Sequence, residues 1–324
     1  MKSTRLVYVF MLIFLCSSVW DVRAKAPTTP KIVFSLVDAG ENAEIYLMNP
    51  DGTEQVRLTH NKAFDVAPVW SPTGEQILFT SNRDEVNDLY LIDANGRNVR
   101  RVFGKSANRS GATWSPDGKQ IAYDRREQGK SFIYIGSIDG QKEERVAIGG
   151  GPAWSPDGTE IAFLTGWPER MQINLLNVST RKQKVFFPKP VRPSWMMSPA
   201  WSPSGDKIAF AWLHEVKLAE LVGTDKIYII NRDGTGLQRV TDGETPRESA
   251  PVWSPHGDAL LYNQYIEGEQ MQIFKVTLDG GKPVQLTDPR FWHFTGDWFD
   301  PAYALPVSPQ PQLLTIQWGE IKTE

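Results

Sequence analysis

From residue 31 onward, apolar and polar positions follow one order that repeats along the chain. A short apolar run opens each unit: Gln76-Ile-Leu-Phe79, Gln120-Ile-Ala-Tyr123, Glu160-Ile-Ala-Phe163, Lys207-Ile-Ala-Phe210 and Ala259-Leu-Leu-Tyr262. An alternating run follows, beginning at Leu89, Ile133, Ile173, Ile227 and Ile273. Most units then carry a glycine turn (Asn95-Gly96, Asp139-Gly140, Asp233-Gly234, Asp279-Gly280) and close on one more short apolar stretch. Period-two alternation over runs this short predicts strands rather than helices. Asn-Gly and Asp-Gly tolerate positive φ and so mark hairpins.

Each apolar run is preceded by Trp-Ser-Pro-x-Gly, at residues 70–74, 114–118, 154–158, 201–205 and 253–257. A worn sixth copy is Gly296-Asp297-Trp298-Phe299-Asp300-Pro301. Successive tryptophans are 44, 40, 47, 52 and 45 residues apart. Proline cannot donate to a ladder, so Pro-x-Gly turns the chain between a first and a second strand. A four-stranded unit repeating at this period predicts a propeller blade. Three strands, at 31–37, 44–48 and 56–59, precede the first tryptophan, and one lone first strand surrounds the last. Three and one make a shared blade that removes the open edge. The fold expected is all-β: a six-bladed β-propeller of four-stranded blades over residues 31–302, closed by three N-terminal strands and one C-terminal strand.

The ends of the chain read differently. Lys2 and Arg5 precede an unbroken apolar run at 6–15, and Val22-Arg23-Ala24 has small residues at the −3 and −1 positions of a cleavage site. This predicts a Sec-type signal peptide over 1–24, a short linker at 25–30, and export to the periplasm or beyond. The run is too short for a comfortable membrane span, so the mature protein is expected not to cross a membrane. Cys16, the only cysteine, lies in this segment after Leu15, which excludes lipidation and leaves the mature chain without disulfide or thiolate metal site. The tail at 303–324 reads as a strap or an added outer strand and carries no assigned chemistry. Composition fits a globular all-β chain, with 40% hydrophobic residues, 12 Trp, 26 Gly and 23 Pro. Formal charge is −3, and −5 once 1–24 is removed. That mild acidity gives no electrostatic reason for nucleic acid or anionic lipid as partner.

The stretch Ile45-Tyr-Leu-Met-Asn-Pro-Asp-Gly-x4-Arg-Leu-Thr59, followed by Pro68-x-Trp-Ser-Pro-x-Gly-x-x-Ile-Leu-Phe79, resembles the WD40-like (PD40) β-propeller repeat of the TolB family. The resemblance covers almost all of 31–302 and implies the fold. It further implies a periplasmic binding role, since in that family the propeller contacts the lipoprotein Pal of the Tol–Pal envelope system. That family also carries a separate N-terminal α/β domain, for which there is no room between the signal and residue 31. Whatever depends on that domain does not carry over.

Repeats build the ring, so function is sought where they differ. The loops entering the first strands crowd one face of a propeller, the channel mouth. Five residues before each tryptophan stand Asp65, Arg109, Gly149, Met196, Glu248 and His293; adjoining positions hold Phe64, Asn108, Trp195, Arg247 and Trp292. Aromatic and arginine side chains are enriched at binding hot spots. The partner-binding set expected at the mouth is therefore Asp65, Arg109, Trp195, Met196, Arg247, Glu248, Trp292 and His293. The run Trp195-Met196-Met197, after the proline-rich 188–194, is expected to form an exposed patch or to plug the channel. The leading expectation is a non-catalytic, monomeric scaffold for a protein or peptide partner. The alternative is a carbohydrate-binding protein, or a metal-dependent polysaccharide lyase or hydrolase, using the same face. His60, His214 and His293 are its candidate metal ligands. There is no Gly-x-Ser-x-Gly, HExxH, P-loop or EF-hand loop, and no catalytic residue or cofactor is assigned.

Overall fold

The computed structural model describes residues 25–38, 40, 42–166, 171–186, 195–213, 225–242, 247–266 and 270–306. Among them, 24 strands form six four-stranded sheets, each ordered so that the first strand of a unit is an edge. Blade I comprises β4 (Val66–Trp70) to β7 (Arg100–Arg101), and blade II β8 (Arg109–Trp114) to β11 (Glu143–Ile148). Blade III is β12 (Gly150–Trp154) to β15 (Gln183–Val185), and blade IV β16 (Trp195–Trp201) to β19 (Gln238–Arg239). Blade V is β20 (Glu248–Trp253) to β23 (Val284–Gln285). Blade VI joins both ends of the propeller: β24 (Trp292–Phe299) pairs antiparallel with β1 (Lys31–Val37), which continues to β2 (Ala43–Met48) and β3 (Val56–Arg57). Ile32 faces Trp298 as Ile77 faces Trp70, so the worn sixth copy holds the register of the others.

The motif residues meet across blade boundaries. Each Trp-Ser-Pro-x-Gly turn is tied by its serine: Gly74 N donates to Ser71 O at 2.8 Å, and Gln76 N to Ser71 Oγ at 3.1 Å. The turn glycines have φ near +70°, where a Cβ is strained. The proline of one blade then lies over the glycine of the next. A Cβ on Gly118 would sit 3.7 Å from Pro72, and one on Gly205 3.1 Å from Pro156. Between blades VI and I, Phe299 takes the place of proline, its ring 5.3 Å from that of Trp70; a Cβ on Gly74 would meet Phe299 at 2.1 Å. Trp201 and Trp253 each donate from Nε1 to a carbonyl of the preceding blade, Ala153 O and Ala200 O, both at 3.1 Å. The core is therefore a ring of interfaces, each filled by strand-two residues such as Ile77, Phe79, Ile121, Tyr123, Phe210 and Tyr262.

A β-bulge interrupts the first strand of blades I to V, three residues before the tryptophan. Ala67, Gly111, Gly151, Ser198 and Ala250 stand there with φ between 49° and 62°. Three of the five are not glycine, at a cost of about 1–2 kcal/mol each in that conformation. The bulge has a consequence for facing. Positions five apart lie on opposite faces of an unbroken strand. One inserted residue brings them to the same side. Arg109 and Glu248 therefore turn toward the preceding blade, as the tryptophans do.

Candidate functional site

The eight residues expected at the mouth separate into two sets. Those five before the tryptophan are buried: Asp65 0%, Arg109 1%, Met196 0%, Glu248 1% and His293 1% exposed. Those six before it reach solvent: Phe64 41%, Ile148 67% and Trp292 37% exposed, Asn108 and Arg247 also exposed, Trp195 half-buried. This corrects the expectation for the first set. Their side chains do not line the mouth; they are packed beneath it, and those of Arg109, Met196 and Glu248 meet the preceding blade.

Arg109 shows how. Its guanidinium donates to Asp88 Oδ1 at 3.0 Å across the blade boundary, to Glu143 Oε1 at 2.7 Å and to Lys105 O at 3.0 Å, and lies over the Phe103 ring at 4.2 Å. Blades IV and V use the same two positions with the charges exchanged: Lys226 Nζ donates to Glu248 Oε1 at 3.0 Å, and Thr241 donates to the other Glu248 oxygen. Blades VI and I hold two acids at these positions, Glu44 and Asp65, which Asn61 bridges: its N–H donates to Glu44 at 2.8 Å and its Nδ2 to Asp65 at 2.7 Å. Arg83 completes the group at 2.9 Å from Asp65, and Arg57 at 2.5 Å from Glu44. Such buried ion pairs need every partner in place, since either charge left alone is costly.

Met196 packs among Phe186, Ile173 and Trp212, so of the Trp195-Met196-Met197 run only Trp195 and Met197 are partly exposed; the run opens β16 instead of forming a free patch. Residues 187–194 and 214–224 lie outside the described residues, and His214 with them. His293 is held by Phe291 O at 3.0 Å beside the Phe34 ring. Burial pushes its imidazole down to about 4, against a smaller opposite effect of that hydrogen bond. It is thus a neutral core histidine, whereas His60 is exposed. Among the described residues no three of His, Cys, Asp or Glu converge as a metal site.

The exposed side of the mouth is not uniform. Trp292 stacks with Phe294 at 6.2 Å and lies 6.3 Å from the Tyr265 ring; Tyr265 N donates to Arg247 O at 3.0 Å. An aromatic cluster beside an arginine therefore spans blades V and VI. Its residues sit at strand ends, on a ring stapled from below. Toward the Ser-Pro end the channel widens into a cavity of about 430 Å³ touched by all six repeat tryptophans. Among the described residues its one charged lining residue is Asp297, whose carboxylate accepts Trp70 N at 2.9 Å and Trp298 N at 2.8 Å. Burial raises Asp297 to about 6 in spite of those two donors.

One set of site residues has no signature in the sequence. The residue after the second-strand aromatic is Thr80, Asp124, Leu164, Ala211, Asn263 or Ser35. In three blades this side chain accepts the backbone N–H at the bulge position of the next blade. Gly111 N donates to Thr80 Oγ1 at 3.3 Å, Gly151 N to Asp124 Oδ1 at 2.9 Å, and Thr295 N to Asn263 Oδ1 at 3.0 Å. Alignment of the repeats finds the position; only the packed blades show what it bonds.

Comparison with known proteins agrees with this architecture. The family described as PD40, TolB beta propeller domain, matches residues 23–150 and 148–300. TolB from Acinetobacter baumannii superposes with a TM-score of 0.71 at 18% identity, over 83% of this chain and 66% of that one. A putative TolB from Agrobacterium tumefaciens gives 0.62 at 18% identity, over 87% of this chain and 100% of that one. An oligogalacturonate lyase in complex with manganese gives 0.51 at 21% identity, over 82% and 74%. At these identities the solved structures share the fold. The chain spans just under two thirds of the length of the Acinetobacter protein.

Proposed function

The chain belongs to the TolB beta propeller domain family, and on that premise we propose that it is a non-catalytic scaffold that docks a protein or peptide partner over the channel mouth. The observation that carries this reading is the exposed ring six residues before each tryptophan, with the Tyr265–Trp292–Phe294 cluster and Arg247 on one side of it. Aromatic rings and arginine held on rigid strand ends bind with little loss of side-chain freedom. The scaffold beneath is costly to deform, because buried ion pairs join blade I to blade II and blade IV to blade V. The apolar run at 6–15 and the Val-Arg-Ala site support export to the periplasm or the outside, with residues 1–24 removed. No helix among the described residues is long and apolar enough to cross a membrane.

The test is affinity capture from envelope extract with the mature protein and with a Trp195→Ala/Arg247→Ala/Trp292→Ala variant. The variant is expected to fold like the parent, since Arg247 and Trp292 are exposed and Trp195 half-buried, and to lose a partner that the parent recovers. Equal recovery by both would remove the mouth as the docking surface.

A further inference from the structure

We propose that Asp124 is a receptor for one organic cation, the ammonium or guanidinium group of a peptide that enters from the mouth; this rests on the docking reading above. The task shared by Thr80, Asp124 and Asn263 is to accept one backbone N–H from the next blade. Threonine and asparagine do it without charge. A carboxylate does it at the cost of desolvating an ion, with no return in blade-to-blade bonding that asparagine does not supply.

The surroundings of Asp124 fit a missing cation. Asp65, Asp88 and Glu248 are each bonded to an Arg or Lys. Asp124 has no cationic partner among the described residues, and Gly151 N is its one hydrogen-bond donor there. The strands against it offer no charge: Ser110 is its neighbour in register on β8, and Gly150 and Gly151 face it from β12. Arg109 beside Ser110 is turned to Asp88 and Glu143, and Arg125, next along β9 (Gln120–Glu127), pairs with Glu127 and Glu143. Burial accordingly lifts the Asp124 carboxyl to about 7, with Gly151 N–H pulling the other way.

Space is left where a ligand would come. Gly150 occupies the position four before Trp154, held in the other blades by Val66, Ser110, Met197, Ser249 and Phe294. Its backbone is not in the left-handed region, so glycine is not demanded by φ. A Cβ there would stand 3.3 Å from Asp124 Oδ2, over the carboxylate. The side chain omitted at Gly150 is the one that would cover the acid. The residue remains half-buried, and Gly151 adjoins Pro152, which lines the channel. A carboxylate partly withdrawn from water binds a hydrogen-bonding cation more strongly than one in open water.

The experiment follows the Asp124 carboxyl by carbon-13 NMR in the mature protein across pH 4–9. Probes are n-butylammonium, methylguanidinium, the uncharged n-butanol, and calcium chloride. Either organic cation is expected to lower the Asp124 titration midpoint by a unit or more, and to bind at least tenfold more weakly below the midpoint than above it. Butanol should leave the midpoint unmoved. Asp124→Asn should abolish cation binding and keep the fold, because asparagine still accepts the Gly151 N–H. A midpoint indifferent to both organic cations, equal binding by Asp124→Asn, or a shift produced by calcium alone would each overturn the proposal. These probes do not involve the mouth residues, so failure here is separate from failure of docking, which the alanine variant tests.

Discussion

Arg109→Met is the sharpest test of the stapled ring. The substitution keeps the volume roughly constant and removes one charge from a fully buried group. Asp88, 0% exposed, is left facing an apolar side chain, and Lys105 O loses a donor. Breaking a buried pair from one side costs about 3–5 kcal/mol, most of it the orphaned charge. In a domain of this size that lowers the melting temperature by roughly 10 °C. Asp88→Asn is milder, because Arg109 keeps both bonds to Glu143. The double variant Arg109→Met/Asp88→Asn should recover about 1 kcal/mol or more relative to the sum of the singles. Near-UV circular dichroism, read against temperature and urea, measures all three proteins. A loss for Arg109→Met below about 1 kcal/mol at pH 7 would refute the claim that these pairs hold the blades.

Three further outcomes are expected. Gly118→Ala should cost about 1–2 kcal/mol for its positive φ, and Gly74→Ala distinctly more, because its Cβ meets the Phe299 ring at 2.1 Å; urea unfolding compares them. The Asp124 carboxyl in the folded state, about 7, lies above the unfolded value near 3.9. Its ionisation therefore penalises the fold as pH rises through 7, and Asp124→Asn should be more stable than the parent at pH 8 and equal to it near pH 4. A variant weaker than the parent at pH 8 would contradict that sign. His293 runs the other way: its folded value near 4 lies below the unfolded 6.5, so the parent loses stability as pH falls between them. His293→Phe should flatten that portion of the profile, and an unchanged slope would place the acid sensitivity elsewhere.

Blade count, strand order and ring closure were legible because each rests on local chemistry. Alternation predicts strands, Asp-Gly predicts hairpins, and three strands plus one complete a blade. The mouth residues are legible in the sequence as positions, but the direction each one faces is not. Sequence alone puts Asp65, Arg109, Met196 and Glu248 at the surface, but an αL bulge at residues as ordinary as Ala67, Ser198 and Ala250 shifts the facing by one. Nothing in an alanine or serine announces that conformation; packing against the next blade imposes it. The aromatic ring beside those positions was in view, whereas the Asp124 stitch was not, because acceptor and donor are 27 residues apart in different units.

The repeat by itself determined that this chain makes blades and closes them, since a blade's strands and turns are short-range structure. Which side chains are buried, which charges meet and which acid has no cation beside it among the described residues were decided only when the blades packed. Arg109 pairs with Asp88 and Glu248 with Lys226, in opposite senses at the same two positions. Either sense satisfies the interface, because what a buried boundary requires is paired charge. A single repeat does not contain its neighbour, so its sequence carries one half of each pair.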